Sequence, residues 1–214
     1  MTKSKSSSAA ERFQFLHVGC GSKYKNQTTP GFNTEQWSEI RLDLDEKVRP
    51  DIIGTMVSMP NLKDASVEAV YSSHNIEHLY AHEVPLAMAE FKRVLKPKGF
   101  VVLTCPDLQS VCAAIAEDKL TDSLYTSPAG PITPFDVVFG WRAAIAAGNV
   151  FMAHRSGFTQ KVLLAQFQLA GFTSIAAIRR PHPFYDLWVL ASVEQRTEVE
   201  MQELAQSHLP VKQT

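Results

Sequence analysis

The run Phe13-Gln14-Phe15-Leu16-His17-Val18-Gly19-Cys20-Gly21 constrains this chain more than any other stretch. An apolar segment ending in Gly-x-Gly reads as a buried strand running into a tight turn. Glycine there lets the backbone take positive φ and lets a ligand approach the main chain without a Cβ in the way. Near the N-terminus of a mid-sized chain, such an ending points to a nucleotide-type cofactor site at the edge of an α/β sheet. Gly-x-Gly is also an ordinary turn, so the reading depends on what the downstream chain supplies.

The segment from Ser22 to Ser38 carries Pro30 and Gly31 and has poor apolar periodicity, so a regular first helix is not expected there. Glu39-Ile40-Arg41-Leu42-Asp43 alternates and reads as a second strand ending in a carboxylate. An acidic residue roughly 20 positions beyond the glycines sits at the tip of the adjacent strand of a βαβ unit, where it can accept hydrogen bonds from both hydroxyls of a ribose. Asp43 occupies that place; Asp45 and Glu46 beside it leave a register error open, and a solvated loop carboxylate is the plainer alternative.

Residues 51–56 read as a short third strand and residues 67–73 as a fourth, breaking at His74. Val84, Ala87, Met88, Phe91, Val94 and Leu95 recur at helical spacing, and Lys96-Pro97-Lys98-Gly99 supplies a stop. Phe100 to Thr104 is a continuous apolar run, as expected for a strand covered on both faces. Such alternation predicts a parallel sheet with ligands at the carboxyl ends of its strands. Gly19–Gly21, Asp43, Thr55–Met56, Ser73–His74 and Thr104–Asp107 would then share one rim.

Farther on, Asp107 can cap a helix reaching about Ala116. Residues 118–134 are polar and proline-rich and read as a long loop of the kind that forms lids or substrate walls. A helix is expected from Thr133-Pro134 to Gly148, an irregular stretch over 149–158 bearing His154 and Arg155, and a helix over 159–170. Two late strands cover 175–178 and 187–191, with Arg179-Arg180 as a solvated strand end. The expected organisation is a disordered tail at 1–12, a single domain over 13–193 with 118–157 as a lid or substrate insertion, and a polar C-terminal tail or fraying surface helix over 194–214.

In these motifs the chain resembles the class I S-adenosylmethionine-dependent methyltransferases, particularly the small type-11 group. The resemblance rests on Leu16-His17-Val18-Gly19-Cys20-Gly21, on Tyr71-Ser72-Ser73-His74-Asn75-Ile76-Glu77-His78-Leu79, and on Phe91-Lys92-Arg93-Val94-Leu95-Lys96-Pro97-Lys98-Gly99-Phe100. It spans about residues 13–107, with a weaker echo at 158–192. It implies a Rossmann-like α/β fold: a mostly parallel central sheet with a late antiparallel strand pair and helices on both faces. It also implies S-adenosyl-L-methionine as cofactor. Gly19, Cys20 and Gly21 would pass under its methionine part, Asp43 would hold the ribose hydroxyls, Thr55 and Met56 would border adenine, and Ser73 and His74 would face the sulfonium. The acidic residue the family often has beside adenine is missing here.

For the acceptor, Asp107, Tyr125, Trp141 and His154 are the candidate contacts, although an aromatic in a helix is more often core and His154-Arg155 could be a solvated loop pair. His74 is the candidate base, since imidazole suits proton transfer at neutral pH; a structural histidine is the alternative. No metal site is expected. His74 and His78 share a helical face, but the glutamate stands at 77 rather than directly after the first histidine, and no third ligand lies nearby in sequence. Cys20 is given no nucleophilic role.

The formal charge of -1 offers no bulk attraction to nucleic acid or an anionic membrane, so the expected partner is a small-molecule acceptor, without nucleic acid or membrane; oligomeric state stays open. No run approaches the ~18 apolar residues of a membrane helix, the polar start is no secretory signal, and three cysteines without metal-type pairing fit a reducing compartment. A cytoplasmic protein is expected. Two other functions fit parts of the pattern. A nicotinamide oxidoreductase would want a third glycine where Tyr24 stands, and a Tyr-x-x-x-Lys pair. A non-catalytic S-adenosylmethionine-binding partner protein is compatible with the missing adenine contact.

Overall fold

A computed structural model describes residues 12–128 and 130–210. Of the tail expected at 1–12, residues 1–11 lie outside the described residues, as do residue 129 and the last four, 211–214. Strand β1 (Phe13–Val18) is followed by β2 (Trp37–Asp43), β3 (Ile52–Ile53), β4 (Val67–Ser73), α1 (Val84–Val94), β5 (Leu95–Pro106) and α2 (Leu108–Ala116). A hairpin of β6 (Tyr125–Ser127) and β7 (Gly130–Ile132) comes next, then α3 (Pro134–Phe139), α4 (Arg142–Ala146) and α5 (Gln160–Leu169). The strands β8 (Ser174–Arg180) and β9 (Asp186–Ser192) and helix α6 (Glu198–His208) complete the chain.

Seven strands form one sheet in the order β3-β2-β1-β4-β5-β9-β8. The first five are parallel, and β9 runs antiparallel to both β5 and β8. The Rossmann-like sheet with a late antiparallel pair is thus the observed fold. Its two faces follow from the period of two in each strand. Leu16, Val18, Val101 and Leu103 point into a core shared with Met88, Phe91, Leu163 and Phe167 of α1 and α5. Phe15, Tyr71, Phe100 and Val102 point to the other side.

On that second face no first helix forms; the segment after the glycine turn holds one short 3-10 turn at Lys25–Gln27. The cover comes instead from Phe32, stacked on Phe15 at 4.3 Å, and from the end of α6. Helix α6 starts in a capping box on Thr197 and Glu200 and ends with His208 and Leu209 buried, so the fraying surface helix read from the sequence is docked at its C-terminus. Met201, Leu204 and Ala205 pack partly buried against the same cluster, a sparse apolar stripe that the polar majority of the helix conceals.

His208 packs against Phe32 and accepts or donates one hydrogen bond with Thr29 Oγ1 at 2.7 Å. Burial pushes it down to about 4. The unfolded chain takes that proton near the ordinary histidine value, whereas the folded chain resists it. Stability should therefore fall as pH drops from about 6.5 towards about 4, by roughly 3 kcal/mol at most, and level off below. Denaturant midpoints measured across this window check the slope, and His208→Leu is expected to flatten it.

Three local expectations differ from the structure. The third strand is only two residues long, since Thr55 already enters a turn closed on Ser58. Lys96-Pro97-Lys98-Gly99 does not separate helix from strand: β5 begins at Leu95, which pairs with Val67, and the register shift between Val67 and Ala69 absorbs the extra residues. The helix expected over 133–148 is interrupted at Gly140, whose φ is +95° and where a Cβ would lie 2.0 Å from the Met152 carbonyl. The close pass of the 149–154 segment breaks the helix.

Candidate functional site

The carboxyl ends of β1, β2, β4 and β5 meet at one rim, and the glycine turn is built into it by backbone bonds. Gly19 and Cys20 both donate to the Leu42 carbonyl at the end of β2, at 2.8 and 3.2 Å. Gly19 and Gly21 have φ of +61° and +53°. They serve different ends. A Cβ on Gly19 would lie 2.2 Å from Asn75 Oδ1, and Asn75 uses that space to donate to the Val18 and Ser73 carbonyls at 3.0 and 2.9 Å, stitching β1 to β4. A Cβ on Gly21 would meet nothing within 4 Å, so this is the glycine with an open face.

Asp43 ends β2 and turns back to the glycines. Its Oδ2 accepts from the Gly21 amide at 2.7 Å and its Oδ1 from the Asp45 amide at 2.9 Å. Beneath it, the buried Arg41 guanidinium donates to the carbonyls of Gly21 at 2.6 Å, Lys23 at 3.2 Å, Arg49 at 2.8 Å and Val48 at 3.3 Å. Sequence reading passed over Arg41 because an Arg inside an alternating strand looks like its solvent face. Cys20 is buried, and desolvation, ahead of the opposing Arg41 charge, pushes its thiol up to about 11. It is no thiolate at neutral pH.

Thr55 and Met56 follow β3 and are half-buried. Ser73 closes β4. His74, at φ +55°, donates its amide to the Thr104 carbonyl at 2.8 Å, so its side chain stands at the β4–β5 junction. His74 Nδ1 lies 3.5 Å from Glu77 Oε1. Glu77 is 2% exposed. Burial alone would raise its carboxyl, but the His74 hydrogen bond and the charges of His74, His78 and His154 prevail and hold it below the ordinary carboxylate value.

Of the acceptor candidates, His154 comes to this cluster: its ring meets that of His78 at 4.8 Å, and it lines a cavity of about 290 Å³ with Glu77, Pro106, Leu108, Val137 and Phe158. Burial, ahead of the Glu77 charge, lowers its pKa. Tyr125 lies in β6 and faces Tyr185 at 6.4 Å. Trp141 stands half-buried at the N-cap of α4. Asp107 occupies the N-cap position of α2 but makes no side-chain cap bond. It is fully buried, accepts from Arg179 Nε at 2.6 Å and from the Ser110 hydroxyl. Both contacts use Oδ2, so Arg179 and Ser110 occupy one oxygen of this carboxylate. Nor is Arg179-Arg180 a solvated strand end, since Arg180 pairs with Asp186.

A protein-family profile described as "Methyltransferase domain" matches residues 16–103. Among solved structures, a protein from Pyrococcus horikoshii aligns at 15% identity over 86% of this chain and 82% of that one, with a TM-score of 0.57. An S-adenosylmethionine-dependent methyltransferase from Mesorhizobium loti aligns at 18% identity over 85% and 91%, TM-score 0.54. Another from Archaeoglobus fulgidus aligns at 13% identity over 85% and 86%, TM-score 0.53. No curated protein matches the chain in sequence. Residues 16–103 thus carry a methyltransferase-domain match, and the Rossmann-like fold is shared with these solved methyltransferase structures.

The methyltransferase-domain match implies S-adenosylmethionine as cofactor, and the residues present fit it. Gly21 offers open backbone, and each Asp43 oxygen keeps a lone pair beyond the amide it accepts, the acceptor pair that a ribose diol requires.

Proposed function

We propose that this protein is an S-adenosylmethionine-dependent methyltransferase acting on a small-molecule acceptor. The observation that carries the proposal is the Gly21–Asp43 contact at the strand rim, which couples the open glycine to a carboxylate with free lone pairs. Asp43 would hold the ribose hydroxyls, Gly19–Gly21 would pass under the methionine part, Thr55 and Met56 would border adenine, and Ser73 and His74 would face the reacting end. When bound, the cofactor supplies a methyl group already activated by its sulfonium.

The protein's own task is then to bind, align and exclude water. His74 is proposed as the group that takes the acceptor proton, with the Glu77 carboxylate 3.5 Å away to orient the ring and offset the charge it gains. Residues 118–157 are proposed to wall the acceptor pocket, with His154, Tyr125, Trp141 and the Asp107–Arg179 pair around it. Among the described residues no helix is long and apolar enough to cross a membrane. The cysteines Cys20, Cys105 and Cys112 are free, which supports a reducing, cytoplasmic setting.

Calorimetry with S-adenosylmethionine, S-adenosylhomocysteine and NAD tests the reading. Both sulfur ligands should bind and NAD should not; silence with both sulfur ligands would remove the proposal. Asp43→Ala is expected to weaken S-adenosylmethionine at least about tenfold, the cost of one or two lost hydrogen bonds to a charged acceptor. Full affinity in that variant would refute the ribose assignment.

A further inference from the structure

Glu77, His78 and His154 each place one ligand-type atom within 4.8 Å of the others. The hydrogen bonds around them determine which atoms are free. His78 Nδ1 lies 3.1 Å from the Ala153 carbonyl, and His154 Nδ1 lies 2.6 Å from the Val137 carbonyl. A carbonyl can only accept, so both Nδ1 atoms carry the proton and donate. In the neutral ring this leaves each Nε2 as a bare lone pair. Glu77 adds a third acceptor: its Oε2 is buried and has no hydrogen-bond partner among the described residues. Its Oε1 is the atom that His74 approaches.

Each of the three residues thus brings an acceptor to the cluster, and the buried Glu77 Oε2 is left unmatched there, which is costly. An N–H donated to a backbone carbonyl, with the second nitrogen free, is also the outer-shell arrangement that orients histidines for metal binding.

We propose that Glu77, His78 and His154 form a binding site for a divalent transition-metal ion. Two imidazoles and one carboxylate suit zinc or iron(II) and leave positions open to a further ligand. Those positions adjoin the cavity beside Pro106, Leu108 and Val137, so a metal-bound water or an oxygen of the acceptor can complete the shell. Bonds of ~2.0–2.2 Å require the three atoms to close in by roughly an ångström from their present spacing. Magnesium is a poor match, since it favours oxygen ligands and retains its waters. The site shares Glu77 and His154 with the proposed acceptor pocket, but its test is independent of the methyl-transfer reading, because metal binding is measured without cofactor or acceptor.

The test uses the full chain stripped with a chelator, titrated in turn with zinc, cobalt(II) as a spectroscopic stand-in, iron(II) under anaerobic conditions, and magnesium. The expected result is one tightly held zinc, iron or cobalt per chain, visible d–d bands with cobalt, and no comparable magnesium binding. Glu77→Gln and His154→Ala should each lose at least about tenfold in affinity, the effect of removing even an outer-shell partner. His82→Ala, an exposed histidine outside the cluster, should bind as the parent does. A parent chain that retains none of the three transition metals would overturn the proposal, whether or not the variants fold. So would binding unchanged in both Glu77→Gln and His154→Ala.

Discussion

Arg179→Met should destabilise the protein by about 3 kcal/mol, the lower part of the range for removing one partner of a buried ion pair. Asp107 is fully buried, and the Arg179 guanidinium reaches it at 2.6 Å while also touching the Ser110 hydroxyl at 3.0 Å. Asp107 Oδ1 has no partner among the described residues, so loss of Arg179 leaves a carboxylate with the Ser110 hydroxyl and little else. Because the Arg179 side chain is itself 34% exposed, solvent screens the pair and the lower figure applies. The double variant Arg179→Met/Asp107→Leu should recover much of the loss, since it removes the stranded charge as well as its partner. A urea-unfolding cycle over the four proteins measures this. Near-additive losses would show that the pair is not coupled.

Arg41→Ala should cost about 2–4 kcal/mol and weaken S-adenosylmethionine in parallel. The guanidinium has four backbone carbonyls as partners and lies over the Tyr24 ring at 4.3 Å. Truncation leaves those carbonyls to find water in a buried place, at ~1–3 kcal/mol for an acceptor that fails. The Gly21 carbonyl is among them, so the turn that carries the Gly21–Asp43 contact loses its anchor. Arg41→Lys should restore little, because an ammonium cannot span four carbonyls in two different loops. Thermal denaturation and calorimetry together check both parts. An Arg41→Ala chain with parental stability and affinity would contradict them.

Both predictions concern residues that the sequence made look ordinary. Arg41 sits in an alternating strand and Arg179 at a strand end, and nothing local distinguishes a solvated arginine from one that turns inward to carbonyls or a carboxylate. The fold itself was legible. Apolar runs bounded by turn residues located β1, β4 and the core of β5, and the strand–helix alternation predicted a parallel sheet with a shared rim. Asp43 could be singled out because its relation to the glycines is set by a strand-to-strand step within one βαβ-like unit. Element edges were less legible. The start of β5 at Leu95 and the break at Gly140 depend on a partner strand and on a passing segment.

The sequence alone determined the class of sheet, the glycine turn and the carboxylate that answers it, since these follow from backbone conformation and one-sided burial over short spans. Tertiary structure alone decided the remainder of the rim. It gave Gly19 to Asn75, left Gly21 open, and joined Asp107 to Arg179 across 72 positions. It also brought His78 to the Ala153 carbonyl 75 residues away and so set His154 beside Glu77. Periodicity reports which face a residue turns to the core. It carries no information about which distant side chain will meet it there, because that meeting is fixed by the order and twist of the strands whose ends converge.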